Sequence, residues 1–195
     1  MKTIVLIDGG YLRVKAKKAN RIYNQDFIEK FALKCKLDDE VLLRILYYDC
    51  APYSGRVSLP ISGTPFTFTS NDSMLNLLAE KDLFAVRRGV LKFRGYKPKN
   101  TPAAPNPGIA LTDADFYADF EQKGVDMRIG LDIATYASDR LVERIILVSN
   151  DTDCVPAIKF ARKSGLQTVL IKLPNGSCSP ELVRHSDFKR PIDWP

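Results

Sequence analysis

Residues 144–171 read RIILVSNDTDCVPAIKFARKSGLQTVLI, and this stretch decides the fold. Arg144–Ser149 is a short apolar, β-branched run that ends abruptly in acids, the pattern of a buried strand. Asp153–Lys163 has helical spacing. Pro156 is tolerated in its first turn, and Gly165 is its C-terminal stop. Thr168–Ile171 is apolar again. Strand, helix and strand in this little space predict a parallel pair joined by a helical crossover.

Working outward, Thr3–Ile7 (TIVLI) is a second buried strand, followed by Asp8-Gly9-Gly10 as a tight turn. Asn24 is positioned to cap a helix over Gln25–Lys34 with Phe27, Ile28 and Phe31 on its buried face. Val41–Tyr48 (VLLRILYY) is another buried strand. Residues 51–70, with Pro52, Gly55, Pro60, Gly63 and Pro65, form a loop or an excursion from the core. Asn71 or Asp72 can cap a helix over Ser73–Lys81. Phe84–Tyr96 reads as extended, with a turn or bulge at Gly89. The stretch 97–110 (KPKNTPAAPNPGIA) is loop. Thr112–Gln122 is expected as a short helix with Asp115 and Asp119 on an acidic face, broken at Gly124. Asp126 opens a longer helix to Ala137 with Ile129, Ile133 and Ala137 on one side. Pro180–His185 is a last short helix. The alternation of strands and helices predicts an α/β protein with a parallel sheet and helices on both faces.

The chain has 195 residues, 45% hydrophobic and 27% charged, which suits one domain with a core of ordinary size. No run approaches the ~18–20 apolar residues of a membrane span, and the N-terminal run is too short for a signal peptide. A cytoplasmic protein is the expectation. Cys35, Cys50, Cys154 and Cys178 are far apart and His185 is the one histidine, so zinc-site spacing is absent.

The net charge of +6 is unevenly placed. Arg13–Lys36 holds eight basic and two acidic residues, and Lys81–Asn100 holds seven and one. The second segment interleaves Phe84, Phe93 and Tyr96 with Arg87, Arg88, Lys92 and Arg94. That pattern suits base stacking with phosphate contact, and equally an ordinary alternating β-hairpin. The rest of the chain is correspondingly acidic. A basic surface beside acids fits a phosphate polymer and a cation-holding site together.

The acids gather at strand ends. Asp8 closes the first strand, and Asp151 and Asp153 follow the strand at 144–149. Ligands of open α/β sheets bind outside the carboxyl ends of the strands. If these strands are parallel neighbours, Asp8, Asp151 and Asp153 meet there, and Asp126 can point to the same place. Carboxylates crowded together repel, which a hard divalent cation resolves. Each acid alone could be no more than a turn residue or helix cap. Asp132 lies about 120° round the helix from Asp126 and is assigned a positioning or structural role. No phosphate-cradling glycine motif is present, and two-histidine ribonuclease chemistry is impossible with one histidine.

IDGGY, QKGVDMRIGLDIA (Gln122–Ala134) and ILVSNDTDCVPAIKFAR (Ile146–Arg162), in this order, resemble the NYN domain family of the PIN-like nuclease group, and its LabA-like branch in particular. The resemblance implies a Rossmann-like three-layer α/β/α fold with a mainly parallel sheet. It covers a single domain over 1–188, with an excursion at about 51–110 and a tail at 189–195. It also implies Mg²⁺ or Mn²⁺ bound by acids, and RNA as the substrate. By matching motifs, Asp8, Asp126, Asp151 and Asp153 are the catalytic metal ligands. Ser149 and Asn150 line the site, and Asp132 matches a further acidic position. Tyr11 departs from the Asn common there, and Cys154 from the usual Phe. The expected activity is that of a metal-dependent endoribonuclease. The alternative is a catalytically weak or inactive module that binds RNA or protein. A homodimer is left open.

Overall fold

The computed structural model describes residues 1–100 and 110–195. Its strands are β1 (Lys2–Asp8), β2 (Val41–Cys50), β3 (Gly55–Ser58), β4 (Pro65–Phe68), β5 (Phe84–Pro98), β6 (Phe116–Lys123), β7 (Arg144–Val148), β8 (Gln167–Lys172) and β9 (Phe188–Pro191). Its helices are α1 (Gly9–Lys18), α2 (Gln25–Lys34), α3 (Ser73–Ala79), α4 (Val125–Ser138), α5 (Val155–Lys163) and α6 (Pro180–His185). The chain divides into two compact units. One comprises 1–49, 73–88 and 124–195, and the other 50–72 and 89–123.

The first unit is a sheet flanked by helices, with strand order β5-β2-β1-β7-β8-β9. β1 is parallel to both β2 and β7, which places it in the middle of the sheet. Ile4 to Ile7 are at most 1% exposed, as a strand covered on both faces requires. α2 buries Phe27, Ile28, Phe31 and Ala32, and Asn24 accepts the Phe27 N–H as its cap. α4 buries Val125, Ile129, Ile133 and Ala137, the four-residue stripe of the sequence. α5 follows a single 3₁₀ turn at Thr152–Cys154. The mainly parallel α/β fold is therefore as the sequence predicts. Among the described residues no helix is long and apolar enough to cross a membrane.

Four expectations need correction. Gly9-Gly10 is the first turn of α1, because the Asp8 side chain caps the Tyr11 N–H and lets the helix start directly after the strand. Residues 116–123 are strand, not helix. Asp115 and Asp119 are four apart, a spacing that lies on one face of a strand as well as of a helix, and the aromatic residues between favour the strand. The irregularity of β5 falls between Phe93 and Gly95 rather than at Gly89. Gly95 has φ +107°, which a side chain would resist. β9, Phe188–Pro191, runs parallel to β8 from the expected end of the domain at 188 into the tail expected at 189–195. The loop expected at 97–110 lies partly outside the described residues, at 101–109.

In the second unit, β3 and β4 form a hairpin within the expected excursion, and the C-terminal part of β5 pairs antiparallel with β6. Tyr53, Phe68, Phe93 and Phe120 pack ring on ring, Tyr53 and Phe120 at 5.4 Å and Phe93 and Phe120 at 5.8 Å. The alternate residues carry the charges. Arg94 meets Glu121 at 3.2 Å and Lys97 meets Asp119 at 2.9 Å. Aromatic and basic residues interleaved in sequence are thus sorted onto opposite sides of the ribbon.

The amino edge of the first unit's sheet is tied by one acid. Glu40, 3% exposed, accepts the Leu37 N–H at 2.6 Å and Arg190 Nη2 and Nη1 at 2.7 and 2.9 Å. Arg144 Nη1 completes the set. Burial alone would raise this carboxyl, but Arg190, the Leu37 N–H and Arg144 outweigh it and hold it at about 2. A carboxylate depressed on folding contributes stability above its unfolded value of 4.5 and loses it as pH falls toward 2. Glu40→Gln should therefore be destabilised by about 3 kcal/mol at neutral pH. Urea titrations should show its gap to wild type closing below pH 4.5. A gap independent of pH would mean Glu40 contributes packing alone.

Candidate active site

Parallel pairing sets the geometry. Asp8 ends β1, and the ladder to β7 runs to Ile7↔Val148, so Asp8 lies beside Ser149. Ser149 Oγ donates to Asp8 Oδ2 at 3.4 Å and accepts the Asp151 N–H at 3.1 Å. Asp8 Oδ1 accepts the Tyr11 N–H at 3.0 Å, and Asp151 Oδ1 accepts the Asp153 N–H at 2.9 Å. Both aspartates thus cap the turns that follow their strands, and each keeps lone pairs for a further partner. Gly9 has to be glycine: a Cβ there would meet the Tyr47 ring at 2.5 Å and the Tyr48 carbonyl at 2.8 Å. That close approach presses the start of α1 against β2.

The electrostatics identify the crowding. Burial raises the Asp8 carboxyl, the Tyr11 N–H partly offsets this, and Asp126, Asp49 and Asp151 raise it further. Asp126, in the first turn of α4, is raised by burial, then by Asp151 and by Asp153. Cys154 beneath them is pushed up to about 12 by burial and by Asp151, Asp126 and Asp8, so it stays a thiol. Oxygen donors with no thiolate or imidazole are the set that a hard cation prefers. Among the described residues, however, no three His, Cys, Asp or Glu side chains lie close enough to clasp an ion as they stand.

Asp49 is the acid that the sequence reading passed over. It is 1% exposed at the carboxyl end of β2, next to the strand that ends in Asp8. The signal was there: VLLRILYY runs into an aspartate just as TIVLI does.

Asp8, Asp126 and Asp151 come within electrostatic range of one another, and Asp153 acts on Asp126; Asp8 and Asp151 are half-buried, Asp126 and Asp153 exposed. Asn150 turns to the Ser179 N–H at 2.7 Å, which anchors the start of α6. Asp132 Oδ2 accepts the Tyr48 hydroxyl at 2.8 Å, and its two oxygens take the Arg87 fork at 3.1 and 3.2 Å. Arg88 binds Asn76, and Lys92 and Arg94 belong to the second unit.

The family match places this parallel α/β sheet, with its strand-end acids, in the class of PIN-like nucleases. Within it, the chain belongs to the NYN domain family, whose model matches residues 77–192. The fold is shared with the crystal structure of a protein of unknown function from Vibrio parahaemolyticus, at a TM-score of 0.56 and 17% identity, with 98% of this chain and 93% of that chain covered. No curated protein matches the chain in sequence.

Crowding of like charges predicts a stability effect. Asn caps helices about as well as Asp, so Asp8→Asn and Asp151→Asn keep their turns while removing charge. The Asp8 carboxyl is raised on folding and so costs stability as it ionises, and Asp151 is one of the charges that raise Asp8 and Asp126, so in the absence of metal both variants should melt at or above the wild-type temperature. A fall of several degrees in both would show that the charges themselves hold the fold.

Proposed function

We propose that this protein is a metal-dependent endoribonuclease acting at Asp8, Asp126, Asp151 and Asp153. The observation that carries the reading is the half-buried Asp8 carboxyl, raised by desolvation and by the neighbouring charges of Asp126, Asp49 and Asp151 at the carboxyl edge of the sheet. A cluster of this kind is relieved by a divalent cation, and Mg²⁺ or Mn²⁺ suits its oxygen donors. These carboxylates would hold the ion, which would supply charge neutralisation and Lewis-acid activation for phosphodiester hydrolysis.

The chain's own groups do the positioning. Ser149 holds the Asp8 carboxylate through its hydroxyl and the Asp151 backbone through its oxygen, which fixes the two strand ends relative to each other. Asn150 keeps the loop in place through Ser179. Asp132, clamped by Arg87 and Tyr48, is a positioning residue of α4. Phosphate contact is assigned to Arg88, Lys92 and Arg94, the last on releasing Glu121. Arg87 joins them only by releasing Asp132. RNA is the partner. His185 has no role.

The second reading, an RNA- or protein-binding module without turnover, is favoured by one observation. Among the described residues the acids are not gathered tightly enough to hold an ion before it arrives. One experiment separates the two: labelled single-stranded RNA and DNA incubated with wild type, Asp151→Asn and His185→Ala, in Mn²⁺, Mg²⁺ or EDTA. The nuclease reading expects cleavage of RNA by wild type and His185→Ala in metal, and none by Asp151→Asn or in EDTA. RNA bound but intact under every condition would establish the binding module.

A further inference from the structure

Arg13 lies in the second turn of α1, five residues after Asp8, and its guanidinium is fixed by a buried acid. Arg13 Nη1 makes a close ion pair with Asp49 Oδ2, the Arg13 side chain being 31% exposed and that of Asp49 1%. Asp49 is itself held. Its Oδ2 accepts the Tyr47 hydroxyl at 3.1 Å, the Tyr47 and Tyr23 hydroxyls bond at 2.8 Å, and Tyr23 donates to the Gly9 carbonyl at 3.3 Å. Burial pushes both phenols up, so they remain protonated donors. Tyr47 and Tyr23 thus tie Asp49 to the backbone that follows Asp8.

Two features of Arg13 call for a ligand. An arginine carries five N–H donors, and here Nη1 alone donates to a protein acceptor among the described residues. The guanidinium is thus oriented, partly open to solvent and largely unsatisfied. It is also well placed. Asp8 pairs with Tyr48 across β1 and β2, so Asp49, the next residue, and the Arg13 it holds lie along the same carboxyl edge as Asp8. A polyanion approaching a crowd of carboxylates is repelled unless a cation stands at the rim. A pre-oriented planar fork matches a phosphate's oxygens better than a mobile ammonium does. Lys15, Lys17 and Lys18 on the same helix extend the positive charge.

The geometry points to Arg13 as a phosphate-binding residue of the nucleic-acid path, oriented by Asp49. This rests on the nuclease reading and adds to it where the strand enters: beside α1, at the β2 side of Asp8.

The test uses the full chain and a fluorescent single-stranded RNA. Binding is followed by anisotropy in EDTA across a salt series, and KM by cleavage in Mn²⁺. Arg13→Gln/Asp49→Asn replaces the ion pair with a neutral pair of similar shape, so Asp49 is not left buried and unpaired. It should melt near wild type, bind RNA roughly tenfold more weakly, and show a salt slope lower by about 0.7. Arg13→Lys keeps the charge on Asp49 but loses the fork, and should bind several-fold more weakly with KM raised and kcat little changed. If the double variant does not fold, Arg13→Lys decides the matter. Wild-type affinity, salt slope and KM in the folded variants would overturn the role of Arg13 and leave the nuclease reading standing. A wild type that neither binds nor cleaves RNA would overturn both.

Discussion

The central constraint is that β1 is parallel to both its neighbours. Parallel strands present all their carboxyl ends on one side, and β1, β2 and β7 each run into an aspartate there. Side chains scattered along the chain are thereby brought to one edge of the sheet, where their charges raise the proton affinity of Asp8 and Asp126. The caps, the Ser149 bridge and the Gly9 contact serve to hold these ends still. The site is a consequence of strand order before it is one of side-chain choice.

The two edges of that sheet handle acids in opposite ways. At the amino edge, Glu40 is satisfied by two arginines and a backbone N–H, and its carboxyl is driven down to about 2. At the carboxyl edge, Asp8 and Asp126 are driven up. Burial does not distinguish Glu40 from Asp8, since it pushes both carboxyls up. Counter-charge does. A paired buried acid holds the fold together, whereas a crowded one stores repulsion that a cation can release. Asp49 lies between these cases: it is among the charges that raise Asp8, yet Arg13 neutralises it.

The basic segment of β5 shows why interleaving in sequence is a weak guide to a binding face. Aromatic and basic residues alternate along the strand, and a strand sends alternate side chains to opposite sides. Phe93 therefore joins Tyr53, Phe68 and Phe120 in the second unit's own small core, while Arg94 and Lys97 meet Glu121 and Asp119. Stacking and phosphate contact on one face would have required a different period.

Much of this protein is decided locally and so is legible in the sequence. The β-branched runs of β1 and β7, the four-residue stripe of α4, the Asn24 cap of α2 and the Gly165 stop of α5 all depend on neighbours within a turn or two. The same holds for the acids at the ends of β1 and β7, since a strand and its next residue are adjacent in the chain. What failed was where two periods coincide, as for Asp115 and Asp119, or where a side chain's role is set from afar. Ser149 reaches Asp8 across 141 positions and Arg190 reaches Glu40 across 150. Asp132 is clamped by residues from two other elements. Those pairings depend on which strand lies beside which and in what register, and nothing within one turn of chain carries that information. The sequence by itself determined the elements and the acids they end in. Tertiary structure decided which acids are crowded and which are paired, because charge compensation depends on distance in space.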